Sequence, residues 1–163
     1  MELLTSKWMI VLYVIVGIII TLFLIGRKSA HTEITINASP EKVWSVISDG
    51  SKYNQWNSVI NDLEGELVEG KKVNFTFNQN EGKSYPISAE IKEIQENRLL
   101  NQYGGTVGVM TFDHRYIIEE LNEAVKVTIH EDYRGIMVPF WSPSDVQLAY
   151  ERLNEELKKR CEE

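Results

Sequence analysis

The stretch MTFDHRYIIEELNEAVKVTIHEDYR, residues 110–134, constrains the fold more than any other part of this chain. It alternates apolar and polar residues on both sides of the pair Asn122-Glu123, the pattern of two antiparallel strands with one face buried. With that pair at the hairpin tip, Ile118 faces Val127, Tyr116 faces Ile129, His114 faces Glu131 and Phe112 faces Tyr133. All eight then share the apolar face. Glu119 meets Lys126 on the outer face, which favours this register, whereas Asp113 meets Asp132, which opposes it. A slip of two residues would change the partners but not the faces.

Further strands are readable upstream. HTEITIN (31–37) alternates, and VINDLEGELVEG (59–70) leads through a turn into KKVNFTF (71–77). YPISAEIKEI (85–94) and RLLNQY (98–103) follow, separated by polar turn residues. Between the first two strands, ASPEKVWSVISDGSKYNQWN (38–57) reads as two abbreviated helices carrying Trp44, Tyr53 and Trp56. The period changes again near the C-terminus. Ser142 reads as an N-cap and Pro143 as the first helical residue, and Val146, Ala149, Tyr150, Leu153 and Leu157 form one apolar stripe. Seven antiparallel strands with one apolar face must curl around something, and a single long helix can cover them. The short helices would close one edge of that curl.

The N-terminal part obeys a different rule. Trp8 to Ile25 is a run of 18 residues without a charge. As a helix it spans roughly 27 Å, close to the hydrocarbon thickness of a bilayer. A cleaved signal peptide is the competing reading, but its apolar core is shorter and small residues precede the cut, where this chain has Arg27-Lys28. Residues 1–28 are therefore read as an uncleaved membrane anchor, with 29–163 as one soluble domain. Arg27 and Lys28 after the span, against Lys7 before it, place that domain on the cytoplasmic side of the cell membrane in a single-pass arrangement.

From His31 onward there are 14 basic and 23 acidic side chains, a net charge of −9. Phosphate backbones repel such a domain, so nucleic acid is excluded as a partner. Cys161 is the lone cysteine, read as a free thiol near a frayed C-terminus; it excludes an internal disulfide and a multi-cysteine metal site. His130 is out of phase with His114, so the two point to opposite faces and do not share a metal. No phosphate loop, HExxH or GxSxG pattern occurs, and no cofactor is implied.

The ordered set ASPEKVWSVISDGSKYNQWN, GELVEGKKVNF (65–75), NRLLNQYGG (97–105), HEDYRGIMVPFW (130–141) and the C-terminal helix resembles the START-like, or SRPBCC, superfamily. That superfamily includes the polyketide cyclase/dehydrase and lipid-transport group. The resemblance covers residues 31–163 and leaves the anchor outside. It implies an α+β helix-grip fold, in which a seven-stranded curved antiparallel sheet holds a long C-terminal helix over an apolar cavity. It also implies a hydrophobic small molecule or lipid as the partner.

The strand phases place Phe75, Phe77, Ile87, Ala89, Tyr103, Phe112, His114, Tyr116, Ile129 and Glu131 around that cavity, with Trp56 at its entrance. His114 and Glu131 are polar residues in phase with an apolar face. They would orient the polar end of a ligand or, as an acid/base pair, act on it; a mutually satisfied pair is the plainer alternative. The leading expectation is a membrane-tethered module binding a hydrophobic guest. An enzyme on an aromatic or polyketide-like substrate and a co-chaperone-like interaction domain are the alternatives.

Overall fold

The computed structural model describes residues 7–163, and the first six residues of the proposed anchor lie outside the described part. Helix α1 spans Lys7–Ile25, with no residue buried, and is long and apolar enough to cross a membrane. Gly26 alone separates it from the first strand. Seven strands follow: β1 (Arg27–Ile36), β2 (Ile60–Glu64), β3 (Lys72–Asn80), β4 (Lys83–Gln95), β5 (Leu99–Thr106), β6 (Met110–Glu120) and β7 (Val125–Arg134). Helix α2 (Pro40–Ile47) and a 3₁₀ segment (Gly50–Gln55) join β1 to β2, and α3 (Ser144–Glu162) ends the chain.

The strands form one antiparallel sheet in the order β1-β7-β6-β5-β4-β3-β2, curled into a half-barrel around α3. Consecutive strands pair as hairpins from β2 to β7, and the first strand returns to pair with the last. The β6–β7 register is the one the alternation dictates, with His114 opposite Glu131 and Phe112 opposite Tyr133. Glu119 meets Lys126 at 2.6 Å on the outer face. The adverse pair Asp113 and Asp132 is resolved by Arg115, which reaches the first at 2.8 Å and the second at 3.2 Å. Partial burial pushes the Asp113 carboxyl up, yet Lys92, Asn101 and Arg115 together hold it below the ordinary carboxylate range.

Three local departures from the sequence reading have simple causes. Strand β1 starts at Arg27 and not at His31, because Arg27 and Lys28 continue the pairing opposite Arg134 and Tyr133. Helix α3 starts at Ser144, with Pro143 one place earlier as its cap and the Ser142 hydroxyl accepting from the Ser144 N–H. Cys161 is buried, not frayed, since α3 keeps its apolar stripe against the core through Leu157 to Cys161. Its thiol is pushed up to about 11, chiefly by that burial.

The segment between β1 and β2 is built to close an edge. Ser39 caps α2 by accepting from the Lys42 N–H at 3.3 Å, with Pro40 in the first turn. Val43 and Ile47 are buried, and the Tyr53 hydroxyl donates to the Ile47 carbonyl at 2.5 Å. The Asn57 side chain then accepts from the N–H groups of both Val59 and Ile60, starting β2. Asn54 holds Asp62, whose φ of 53° marks the bulge in this edge strand.

Candidate ligand cavity

The concave face of the sheet is not uniformly filled. Toward the α1 end of the domain, between β3–β7 and the first turns of α3, lies a cavity of about 540 Å³. Its walls are mostly apolar: Phe75 and Phe77 from β3, Ile87 from β4, Met110 and Phe112 from β6, with Val146 of α3 and Trp141 above them. Phe112 lies across Gly104, where any side chain would meet its ring at 2.5 Å. That glycine lets the aromatic ring lie flat on the sheet as part of the wall.

Polar side chains interrupt this lining at Gln79 and Gln102 and in one buried cluster. Glu131 of β7, 4% exposed, accepts hydrogen bonds on one carboxylate oxygen from the hydroxyls of Tyr150, at 2.5 Å, and of Tyr133. Its other oxygen lies 3.9 Å from Nδ1 of His114. The His114 ring packs edge-on against Tyr116 and tilted against Tyr150, with centroids 4.9 and 5.1 Å away. Neither ring nitrogen has a hydrogen-bond partner among the described residues. Burial lowers the His114 pKa to about 3, so the ring is neutral with one donor and one acceptor unengaged. Burial raises the Glu131 pKa to about 7, against the lowering effect of the two tyrosines. Both tyrosine hydroxyls are pushed far up by desolvation and by the neighbouring carboxylate, so they stay protonated donors.

A neutral imidazole beside a carboxyl poised near neutrality can do two things. It can grip a hydroxyl or carbonyl oxygen, and it can exchange a proton with one. It does not suit an anionic headgroup, because Glu131 already carries part of a negative charge in a medium of low dielectric. Among the described residues no group of three or more metal-ligating side chains comes together. His130 lies on the outer face, 3.2 Å from His31 and from Asp132, away from His114 as the phases require.

Of the residues expected at the cavity, Phe75, Phe77, Ile87, Phe112, His114 and Glu131 line it. Ala89, Tyr116 and Ile129 do not. They point to the concave face but sit in its filled part, each 1% exposed or less. Tyr103 points the other way. It pairs with Glu90 and Asp113, so it shares their outer face, and Lys92 stacks on its ring at 5.6 Å. Trp56 is not at the entrance either. It packs edge-on against Tyr53 and borders a separate groove with Lys42 and Arg160.

Several lining residues escaped the sequence reading. Gln102 is inward because it pairs with His114, and the phase of LLNQY, anchored on Leu100, carried that information. Tyr133 lay on the inward face of the hairpin already assigned. Tyr150 lay on the helical stripe, but its meeting with Glu131 depends on how α3 is seated, which no local pattern encodes.

A curled antiparallel sheet closed by a C-terminal helix over an apolar cavity defines a helix-grip, START-like protein. The chain belongs to the polyketide cyclase / dehydrase and lipid transport family, whose sequence model matches residues 27–162. Solved structures agree in fold. A Thermus thermophilus protein, TTHA0849, is 17% identical with a TM-score of 0.67, covering 82% of this chain and 97% of that one. A Chromobacterium violaceum protein, CV1439, is 14% identical with a TM-score of 0.68, covering 83% and 97%. A START superfamily protein from Mycobacterium smegmatis is 18% identical with a TM-score of 0.60, covering 82% and 94%. Comparison with curated protein sequences finds no match.

Proposed function

We propose that this chain is a membrane-tethered module that holds an apolar small molecule or lipid bearing one neutral oxygen function, on the cytoplasmic side of the cell membrane. The observation that carries the reading is the cavity itself. Its volume of about 540 Å³ falls within the range of roughly 300–1,000 Å³ typical of small-molecule sites, and its walls are mostly apolar, with Gln79 and Gln102 beside the buried His114–Glu131 cluster. That combination fits a guest with a hydrophobic body and a single hydroxyl or carbonyl. The unpartnered His114 nitrogens supply the gain, since a buried donor without a partner costs about 1–3 kcal/mol.

The test uses the fragment from Gly26 to Glu163 and a neutral probe such as N-phenyl-naphthylamine. Saturable binding with one site is expected, together with apolar material retained through purification and visible in native mass spectrometry. For guests that carry a hydroxyl, His114→Phe should weaken binding about 10-fold or more, while guests without one should be unaffected. A folded fragment that binds no apolar probe would end this reading.

A second reading, acid–base catalysis on a bound guest, draws on the Glu131 pKa of about 7 in contact with the cavity. If turnover is found, Glu131→Gln should lower kcat by about 10²-fold or more. An unchanged kcat would remove Glu131 from any proton transfer.

A further inference from the structure

The junction between α1 and the domain is not a linker. Gly26 is buried, its carbonyl accepts from the Gly135 N–H at 3.0 Å, and a Cβ on it would lie 2.1 Å from the Gly135 carbonyl oxygen. Gly135 opens the loop 135–141, which is in turn fastened on two sides. Ile136 and Met137 donate to the carbonyls of Gly108 and Val109 at the β5–β6 tip, both at 3.1 Å. Lys28 donates to the carbonyls of Pro139, at 3.2 Å, and Trp141. The end of α1, the β5–β6 tip and the 135–141 loop are therefore one hydrogen-bonded unit.

The surface of this unit is apolar and unpaired. Val107 is 81% exposed and Phe140 72%, with Met137 and Val109 about half exposed beside them. Scattered apolar residues on a surface need no explanation, but Val107 and Val109 are contiguous with α1. Phe23 and Leu24 of α1 share a hollow with Val107, Val109 and Ile136. Val109 is also a wall of the ligand cavity, with Thr106, Met110 and Trp141. An apolar track thus runs from the side of α1 to the cavity.

Charge agrees with this placement despite the acidic domain. Arg27 and Arg134 face each other across the β1–β7 register at this end, both exposed. The nearest carboxylate in that register, Asp132, is engaged by Arg115 and His130. Two exposed guanidinium groups flanking an apolar tip suit the phosphate level of a bilayer.

We propose that the β5–β6 tip and the 135–141 loop form a bilayer-docking surface that holds the cavity mouth against the membrane, so that the guest exchanges with the lipid phase. This rests on the reading of α1 as a membrane span. If α1 lies in the bilayer, one buried glycine leaves the tip and loop no other place than the interface.

The experiment uses the full chain in vesicles of phosphatidylcholine and phosphatidylglycerol in equal parts. Single cysteines V107C, F140C, I15C and E123C carry an environment-sensitive fluorophore; Glu123 is at the opposite hairpin tip, and buried Cys161 with its raised pKa stays unlabelled. Nitroxide lipids at headgroup or mid-chain depth serve as quenchers. The expected result is strong mid-chain quenching at Ile15→Cys, strong headgroup-depth quenching and blue-shifted emission at Val107→Cys and Phe140→Cys, and neither at Glu123→Cys. Quenching at Ile15→Cys without quenching at the two tip positions would overturn the docking surface and leave the span intact. Absence of quenching at Ile15→Cys would remove the span and the docking surface with it. Blue-shifted tip emission that nitroxides do not quench, and that dilution abolishes, would assign the surface to a second copy of the chain.

Discussion

The concave face of this sheet has a filled half and a hollow half, and the same alternation of residues builds both. In the filled half, Ile36, Tyr116, Val127 and Ile129 are each 1% exposed or less, under α2 and α3, whose Leu153 is fully buried against them. In the hollow half, Phe75, Ile87, Phe112 and Met110 point the same way but face open space. Residue character does not separate the halves. Helix placement does: α3 lies over β1, β3 and β7, and α2 reaches β6, while β4 and β5 make no comparable contact with either helix. A period-2 pattern decides which face a side chain points to, and the helices decide whether anything meets it there.

The largest expected effect breaks the filled half. Leu153→Ala on α3 deletes a fully buried side chain and should destabilise the domain by about 2–5 kcal/mol, read from urea denaturation followed by Trp fluorescence. Met110→Ala, at the cavity wall, should cost distinctly less, because its side chain has fewer atoms packed against it. Equal losses at the two positions would mean that the hollow half is in truth close-packed.

The polar cluster at the boundary between the halves should be visible in the pH dependence of stability. Glu131 keeps its proton in the folded chain up to about pH 7 but loses it near 4.5 when unfolded, so its contribution falls as pH rises through that window. His114 behaves oppositely. Folded, it stays neutral down to about pH 3, whereas unfolded it takes up a proton below 6.5, so its contribution rises with pH between those limits. The two slopes oppose each other where the windows overlap. Glu131→Gln should expose the rising slope alone, roughly 5 kcal/mol across its window, and His114→Phe the falling one, roughly 3 kcal/mol, at about 1.4 kcal/mol per tenfold change in proton affinity. Parallel curves for wild type and both variants would show that neither group is desolvated.

Bulk added to each half sharpens the comparison further. Ala89 points inward between Val73 and Gly104 and is 1% exposed, so Ala89→Trp overpacks a filled site and should cost about 1–3 kcal/mol or more. Ile87, two residues earlier on the same strand and face, borders the cavity. Ile87→Trp should be tolerated to within about 1.5 kcal/mol while displacing a neutral apolar probe. Reversed outcomes would exchange the two halves.

This pair of positions also shows what the sequence carries and what it does not. Alternation and the hairpin tip at Asn122-Glu123 gave the β6–β7 partners residue by residue, because strand pairing is a local rule with a period of two. The helical stripe of α3 was legible for the same kind of reason, as were His114 and Glu131 as inward polar residues. Whether Ala89 meets a void or a neighbour was not legible, since it depends on where α2 and α3 settle over the sheet. The misplacing of Trp56 has the same origin. The β4–β5 pairing also contains a register shift between Ile91 and Glu93, which leaves the phase of β5 to be read from its own residues. Leu100 and Gln102 as the inward pair, with Tyr103 outward, follow from β6 on the other side.

The smallest expected effect tests that phase. Tyr103 stands partly exposed on the outer face opposite Asp113, with Lys92 over its ring. An exposed cation–π contact is worth about 0.5–1 kcal/mol, so Tyr103→Ala should shift stability by no more than that. Its effect on apolar-probe affinity should be nil, in contrast to Gln102→Leu one residue away, which alters the polarity of the cavity wall. Probe titrations of the two variants side by side check the point. A loss of affinity in Tyr103→Ala with none in Gln102→Leu would invert the phase of β5, and with it the assignment of which neighbouring residues of β4 and β6 look into the cavity.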